Sequence, residues 1–171
     1  MHMAIDFATE KDSAELVNLI NSAYRGESSK NGWTTEANII GGQYRILQPQ
    51  LEELMKKPEV VFLKAENEQQ QLTGCVFLEK RGNQLYLGML SVDPRLQIKG
   101  TGKQLMAAAE AHARQQQCSS IIMRVIHLRK ELIAWYERHG YYDTGLIEVY
   151  QPVSFETILV PFHFVILQKD L

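Results

Sequence analysis

Leu90-Ser91-Val92-Asp93-Pro94-Arg95-Leu96-Gln97-Ile98-Lys99-Gly100-Thr101-Gly102-Lys103-Gln104-Leu105 is the stretch whose reading decides the rest of the chain. A strand ends at Val92, Pro94 turns the backbone, and a helix begins near Gly100. Between them lies Gln97-x-x-Gly100-x-Gly102, with Lys99 inside it and Lys103 directly after it. The first turn of a helix presents backbone N–H groups that have no intrahelical acceptor, together with the positive end of the helix dipole. Glycines at 100 and 102 let a ligand approach the backbone closely. Lys99, Lys103 and Arg95 add positive charge, so the segment reads as a cradle for an anion, and a diphosphate suits it. A P-loop does not fit, because Gln97 stands where glycine is needed and Gln104 where Ser or Thr is needed. The dinucleotide fingerprint fails as well, because Leu105 falls where its third glycine belongs.

Working outward, residues 100–117 form a helix with Leu105, Met106, Ala109 and Ala113 on its apolar face. It leads into Ser120-Ile121-Ile122-Met123-Arg124-Val125-Ile126, a strand apolar on both faces. A strand–helix–strand passage of this length implies a parallel strand pair. Upstream, residues 60–65, 72–80 and 84–92 read as an antiparallel meander with turns at 67–71 and Arg81-Gly82-Asn83. Ile5-Asp6-Phe7-Ala8 is a short strand. Thr9 and Asp12 then resemble a capping box opening a helix that carries Leu16, Leu19, Ile20 and Tyr24. Residues 25–32 read as a loop, Thr34 and Thr35 as the start of a second helix fading at Gly41-Gly42, and 46–57 as a third helix stopped by Pro58. Residues 129–139 form another helix, with Gly140 at its left-handed C′ position and Tyr141 packing back on it. Strands over 141–149 and 162–168 close the chain. The expected fold class is therefore α+β: a mostly antiparallel sheet of six to seven strands with one parallel pair and about four flanking helices, in a single domain spanning 1–171.

Composition narrows the function classes. The chain has 171 residues, 45% hydrophobic and 22% charged, with a net charge of −2. There is no basic surplus for phosphate contacts, which argues against nucleic-acid binding. No apolar run approaches the ~18 residues of a membrane span, and the first residues lack a signal-peptide pattern. Cys75 and Cys118 are far apart and outside any CxxC pattern, so two reduced thiols, no metal and a cytoplasmic location are expected.

Two motifs together resemble the GNAT superfamily of N-acetyltransferases. One is Gln97-Ile98-Lys99-Gly100-Thr101-Gly102 after the strand ending in Ser91-Val92-Asp93-Pro94. The other is Trp135-Tyr136-Glu137-Arg138-His139-Gly140-Tyr141, similar to that family's aromatic-Tyr-Glu-x-x-Gly-aromatic segment. The resemblance implies that acetyl-CoA serves as acyl donor. Its pantetheine arm would enter the wedge between the parallel strands and pair with the edge at Leu90, Ser91 and Val92. Its pyrophosphate would rest on the amides of Gln97, Ile98, Lys99, Gly100, Thr101, Gly102 and Lys103. It further implies direct attack of a neutral amine on the thioester, with Tyr136 as the acid for the departing thiolate and a backbone N–H near Leu90 as oxyanion donor.

The sequence departs from the family pattern in two places. Tyr86 occupies a position where some members carry an acidic residue, leaving Glu79, His127 or a water chain as the base. Arg129 replaces an asparagine that contacts the cofactor arm, so it reaches either a phosphate or the acceptor. Gly32-Trp33-Thr34-Thr35-Glu36 resembles a segment that walls the acceptor site in a subset of the family, which makes Trp33 and Glu36 substrate candidates, Glu36 suiting a cationic amine. Each residue also has a plainer reading: Tyr136 as core packing, the lysines as solvated, Trp33 and Glu36 as a packed aromatic and a helix-start carboxylate, His127 as a structural histidine, and His112 and His139 as helix-surface residues. The expected activity is acetylation of a small amine, an amino acid or a peptide amino group by a monomer or homodimer. The alternatives are an acyl-CoA-binding sensor without catalysis and a protein lysine acetyltransferase.

Overall fold

The computed structural model describes residues 3–96 and 99–171. Gln97 and Ile98, both expected in the cradle, lie outside the described residues. In chain order the elements are β1 (Ala4–Phe7), α1 (Ser13–Tyr24), the single turn α2 (Gly26–Ser29), β2 (Ile40–Gly41) and α3 (Gln48–Met55). The meander β3 (Val60–Glu66), β4 (Leu72–Arg81) and β5 (Gln84–Val92) follows. Then come α4 (Thr101–Gln115), β6 (Ser120–Ile126), α5 (Lys130–Arg138), β7 (Tyr142–Glu148), β8 (Thr157–Ile158) and β9 (Phe164–Asp170). The main sheet has seven strands in the order β1-β3-β4-β5-β6-β9-β7, and β2 pairs separately with β8. Every neighbouring pair in the main sheet is antiparallel except β5–β6.

Alternation along the meander builds a core on each face of the sheet, because successive strand side chains point to opposite sides. Leu63, Val76, Leu78 and Leu85 pack with Leu105, Met106, Ala109 and Ala113 of α4. Val60, Phe62, Cys75 and Phe77 pack on the other face with Leu16, Leu19 and Ile20 of α1 and Leu51 of α3. Both cysteines are free and buried. The Thr9 N–H donates to Asp12 Oδ2 at 2.8 Å, and the turn it opens at Glu10–Asp12 is 3-10 and runs directly into α1.

The expected helix from Thr34 to Gly42 does not form. Thr34 is buried and donates its hydroxyl to Ala23 O at 3.3 Å, while the Glu36 N–H donates to Tyr24 O at 3.0 Å. Ile40 and Gly41 pair instead with Ile158 and Thr157, partners no local pattern could supply. The loop expected at 25–32 contains the one-turn helix α2. At the C-terminus of α5, Gly140 adopts φ +96° and donates to Glu137 O at 3.0 Å. Tyr141 N–H then returns to Tyr136 O at 3.2 Å, the arrangement read from the sequence.

Candidate active site

The site begins where the parallel pair fails. β5 and β6 pair only at Gln84–Ser120, Leu85–Ile121 and Tyr86–Ile122. Beyond that point β6 continues along β9 as far as Ile126–Phe164, while β5 continues along β4. The edge of β5 that faces β6 is therefore open from Leu87 onward. On the β4 side the register runs from Phe77–Gly88 to Cys75–Ser91, so Val76 opposes both Met89 and Leu90. That is a β-bulge, and Met89 sits in it with φ +51°, a conformation that costs a non-glycine residue free energy. The Tyr24 hydroxyl donates to Leu90 O at 2.7 Å and fixes the bulge from the α1 side. The Ser91 hydroxyl donates to Met89 O at 3.0 Å.

Three hollows follow the wedge. An inner cavity of about 50 Å³ is lined by Tyr24, Glu36, Leu90, Arg129 and Tyr136, among others. On one side it shares Arg45, Tyr86, Met89, Arg124 and Tyr150 with an open cleft of about 810 Å³. On the other side lies a cleft of about 640 Å³ lined by Trp33, Lys99, Gly100, Gly102, Lys103 and Trp135. This second cleft brings together Lys99, Gly100, Thr101, Gly102 and Lys103 of the expected anion cradle. Gly100 caps α4 in the left-handed region at φ +89°, where a side chain would be strained. Thr101 and Gly102 are buried, whereas Lys99 and Lys103 are exposed. Val92 lines the same cleft. Arg95, read as part of the cradle's charge, instead forks onto Asp93 with contacts of 3.1 and 2.8 Å. That hydrogen bonding holds the Asp93 carboxyl below the usual carboxylate range against the opposing effect of burial.

Trp33 and Glu36 fall in different hollows. The Trp33 indole stacks on Trp135 with centroids 4.8 Å apart, and a Cβ added at Gly102 would meet its Cζ2 at 2.9 Å. Trp33 thus covers the first turn of α4 and lines the cleft at Lys99 and Lys103. Glu36 lines the inner cavity, but its carboxylate is engaged: Arg25 Nη1 donates to Oε1 at 2.7 Å, and Arg129 Nη1 lies 3.8 Å from Oε2. Arg25, 2% exposed, also donates to Glu156 at 2.7 Å, and Glu156 accepts from the Tyr150 hydroxyl. Arg129 donates to Trp33 O at 3.0 Å and so ties the inner cavity to the cradle side.

Tyr136 is 5% exposed and lines the inner cavity. Burial, opposed in part by Arg129, keeps its hydroxyl protonated far above the ordinary tyrosine range. Of the candidate bases, Glu79 pairs with Arg81 at 2.6 Å, and His127 stacks on His163 at 3.8 Å with its Nδ1 facing the His163 backbone. Neither lines any of the three hollows. His112 is half-buried against Phe7 rather than at the helix surface, and His139 lines the cradle cleft with Nδ1 2.7 Å from Trp135 O. Tyr24, Arg25, Arg45, Tyr150 and Glu156 were not singled out by the sequence. Tyr24 was visible only as an apolar helix position. The two carboxylates that hold Arg25 are 11 and 131 residues away, so no local pattern could have announced them.

The model of the acetyltransferase (GNAT) family matches residues 14–141, and the chain belongs to this family of acyltransferases. A search of curated protein sequences gives no match. Among solved structures, the ribosomal-protein-S18-alanine N-acetyltransferase from Escherichia coli aligns with a TM-score of 0.75 at 12% identity, covering 99% of this chain and 94% of that one. PaiA N-acetyltransferase from Thermoplasma acidophilum, in complex with coenzyme A, aligns at 0.70 and 16% identity over 100% of both chains. A spermidine N-acetyltransferase SpeG chimera from Vibrio cholerae and hSSAT aligns at 0.72 and 17% identity, covering 99% of this chain and 96% of that one. At these identities the likeness establishes the fold. Among the described residues no helix is long and apolar enough to cross a membrane, and no group of His, Cys, Asp or Glu could hold a metal ion.

Proposed function

We propose that the protein transfers an acetyl group from acetyl-CoA to a primary amine by direct attack, with residues 1–171 acting as one domain. The observation that carries this reading is the meeting of three features at the inner cavity: the open edge of β5, the bulge at Met89 and Leu90, and the Tyr136 hydroxyl. The residues fit the donor. An amide-bearing arm supplies partners to the edge from Leu90 to Val92 that β6 leaves unpaired. The first turn of α4, with Gly100, Thr101, Gly102, Lys99 and Lys103 at its cleft, suits linked phosphates.

In this mechanism the bulge presents a backbone N–H near Leu90 to the oxygen that gains charge as the amine nitrogen bonds to the thioester carbon. As the C–S bond breaks, the sulfur takes the electron pair and Tyr136 Oη donates its proton to it. The proton lost by the amine returns to Tyr136 through water in the cavity, so the tyrosine is unchanged at the end of the cycle. A hydroxyl that burial holds protonated is ready to donate at neutral pH.

The test is Tyr136→Phe, assayed by thiol release from acetyl-CoA and by calorimetric titration of CoA. The expected result is a kcat lowered by roughly 10²-fold or more, the scale of acid–base catalysis, with CoA affinity within a few-fold of wild type. Unchanged turnover removes Tyr136 from the mechanism. Binding of CoA without thiol release to any amine would identify an acyl-CoA sensor instead.

A further inference from the structure

We infer that the acceptor is an amine that also carries a carboxylate a few bonds away, an amino acid in the simplest case, and that Arg45 binds that carboxylate. This rests on the acetyltransferase reading and specifies its second substrate. The inner cavity is lined by four arginines: Arg25, Arg45, Arg124 and Arg129. Arg25 lies between Glu36 and Glu156, Arg129 lies 3.8 Å from Glu36, and Arg124 pairs with Glu148 at 3.0 Å. Arg45 alone has no carboxylate partner among the described residues. Its guanidinium stands 5.8 Å from the centroid of the Tyr24 ring, and it lines both the inner cavity and the open cleft.

Arg45 is half-buried and has no counter-charge, so an incoming anion would find a cation there that no carboxylate of the chain already holds. A carboxylate matches its two-pronged donor geometry. The position also limits the spacing. Tyr24 holds the Leu90 carbonyl and lies under Arg45, so an anion on Arg45 is near the bulge where the amine must react.

The same charge distribution argues against an acceptor made only of ammonium groups. Glu36 and Glu148 are already paired, and Glu53 at the rim of the cleft pairs with Lys56 at 2.9 Å. In the inner cavity the one lining carboxylate, Glu36, is held by Arg25 beside Arg129, so none is left there to receive a second ammonium.

The experiment compares thiol release from acetyl-CoA with the common amino acids, their C-terminal amides, spermidine and a lysine peptide as acceptors. The amides are strict controls, because their amines are less basic and so more often neutral. At least one free acid is expected to exceed its amide in kcat/KM by roughly 30-fold, the scale of a charge-assisted ion pair. Arg45→Gln is expected to raise KM for that acid and bring the acid-to-amide ratio towards one. Arg45→Lys should restore part of it. Preference for the amides, spermidine or the peptide overturns the inference while leaving the acetyltransferase reading intact. An unchanged acid-to-amide ratio in a folded Arg45→Gln protein does the same. No thiol release with any of these acceptors overturns both.

Discussion

Replacing Arg25 with methionine tests whether the ion network beside the inner cavity is as tightly coupled as its geometry indicates. The side chain is 1% exposed and donates to Glu36 and Glu156 at 2.7 Å each, so its removal strands two carboxylates. Breaking a buried pair of this kind costs about 3–5 kcal/mol, because the surviving charge keeps its desolvation and loses its partner. Here the lower end applies. Glu156 keeps the Tyr150 hydroxyl and the Val153 N–H, Glu36 keeps Arg129, and Arg25 Nε is itself buried without a partner. A loss of about 3 kcal/mol would lower Tm by about 6–12 °C in a chain of this length.

The loss should also depend on pH. Burial raises the Glu156 carboxyl, but hydrogen bonds from Tyr150 and Arg25 outweigh it and hold the group below its ordinary value of 4.5. A depressed folded-state value contributes stability that is present above the unfolded value and disappears as pH falls through the folded one. The variant has less of that depression to lose, so the gap between the two proteins should narrow below about pH 4.5. Urea denaturation at pH 7 and pH 4 measures both quantities. A deficit under about 1 kcal/mol at pH 7, the size of an exposed ion pair, or one of equal size at both pH values, would refute the coupling.

Gly102→Val should weaken CoA binding roughly tenfold or more, about the free energy of one charge-assisted hydrogen bond, because even a Cβ there meets Trp33 at 2.9 Å. Calorimetric titration checks it, and wild-type affinity would argue against the cradle. Burial lowers the His112 pKa, and its Nδ1 is buried without a partner. The folded state therefore favours the neutral ring, and its contribution to stability is lost as pH falls below the unfolded value near 6.5. His112→Leu should flatten the decline in urea midpoint between pH 7 and pH 5, whereas an unchanged slope would place that titration elsewhere.

The elements that position the cradle were legible because their signals are local. The apolar, β-branched and aromatic runs in residues 60–65 and 72–80, the turn at Arg81-Gly82-Asn83, the helical spacing in α4 and the apolar run of β6 are each carried by residues close in sequence. Strand β6 was read to the residue, and Gly140 was placed at its left-handed position. Residues 34–42 were misread because their conformation is set at long range, by Ala23, Tyr24 and the pairing with Thr157 and Ile158. The bulge was hidden for a related reason. Met89 takes a positive φ without being glycine, so nothing in its identity announces the conformation that the Tyr24 hydroxyl helps to hold. Trp33 and Glu36 were paired as substrate candidates through the resemblance of the one segment that carries both, yet the chain between them turns, sending the indole to Gly102 and the carboxylate to Arg25.

The charges around the inner cavity bear on how an amine becomes nucleophilic there. A carboxylate base would have to be close, free of strong cations and able to accept a proton. Glu36 is close but shares its oxygens with Arg25 and Arg129, and protonating it would break the 2.7 Å contact that holds Arg25. Glu79 and His127 are held elsewhere by Arg81 and His163. What the cavity offers instead is an open side, where bulk water can take the proton before the amine attacks. On the proposed reading, deprotonation then requires only a path to solvent, which the open cleft beside Arg45 and Tyr86 provides.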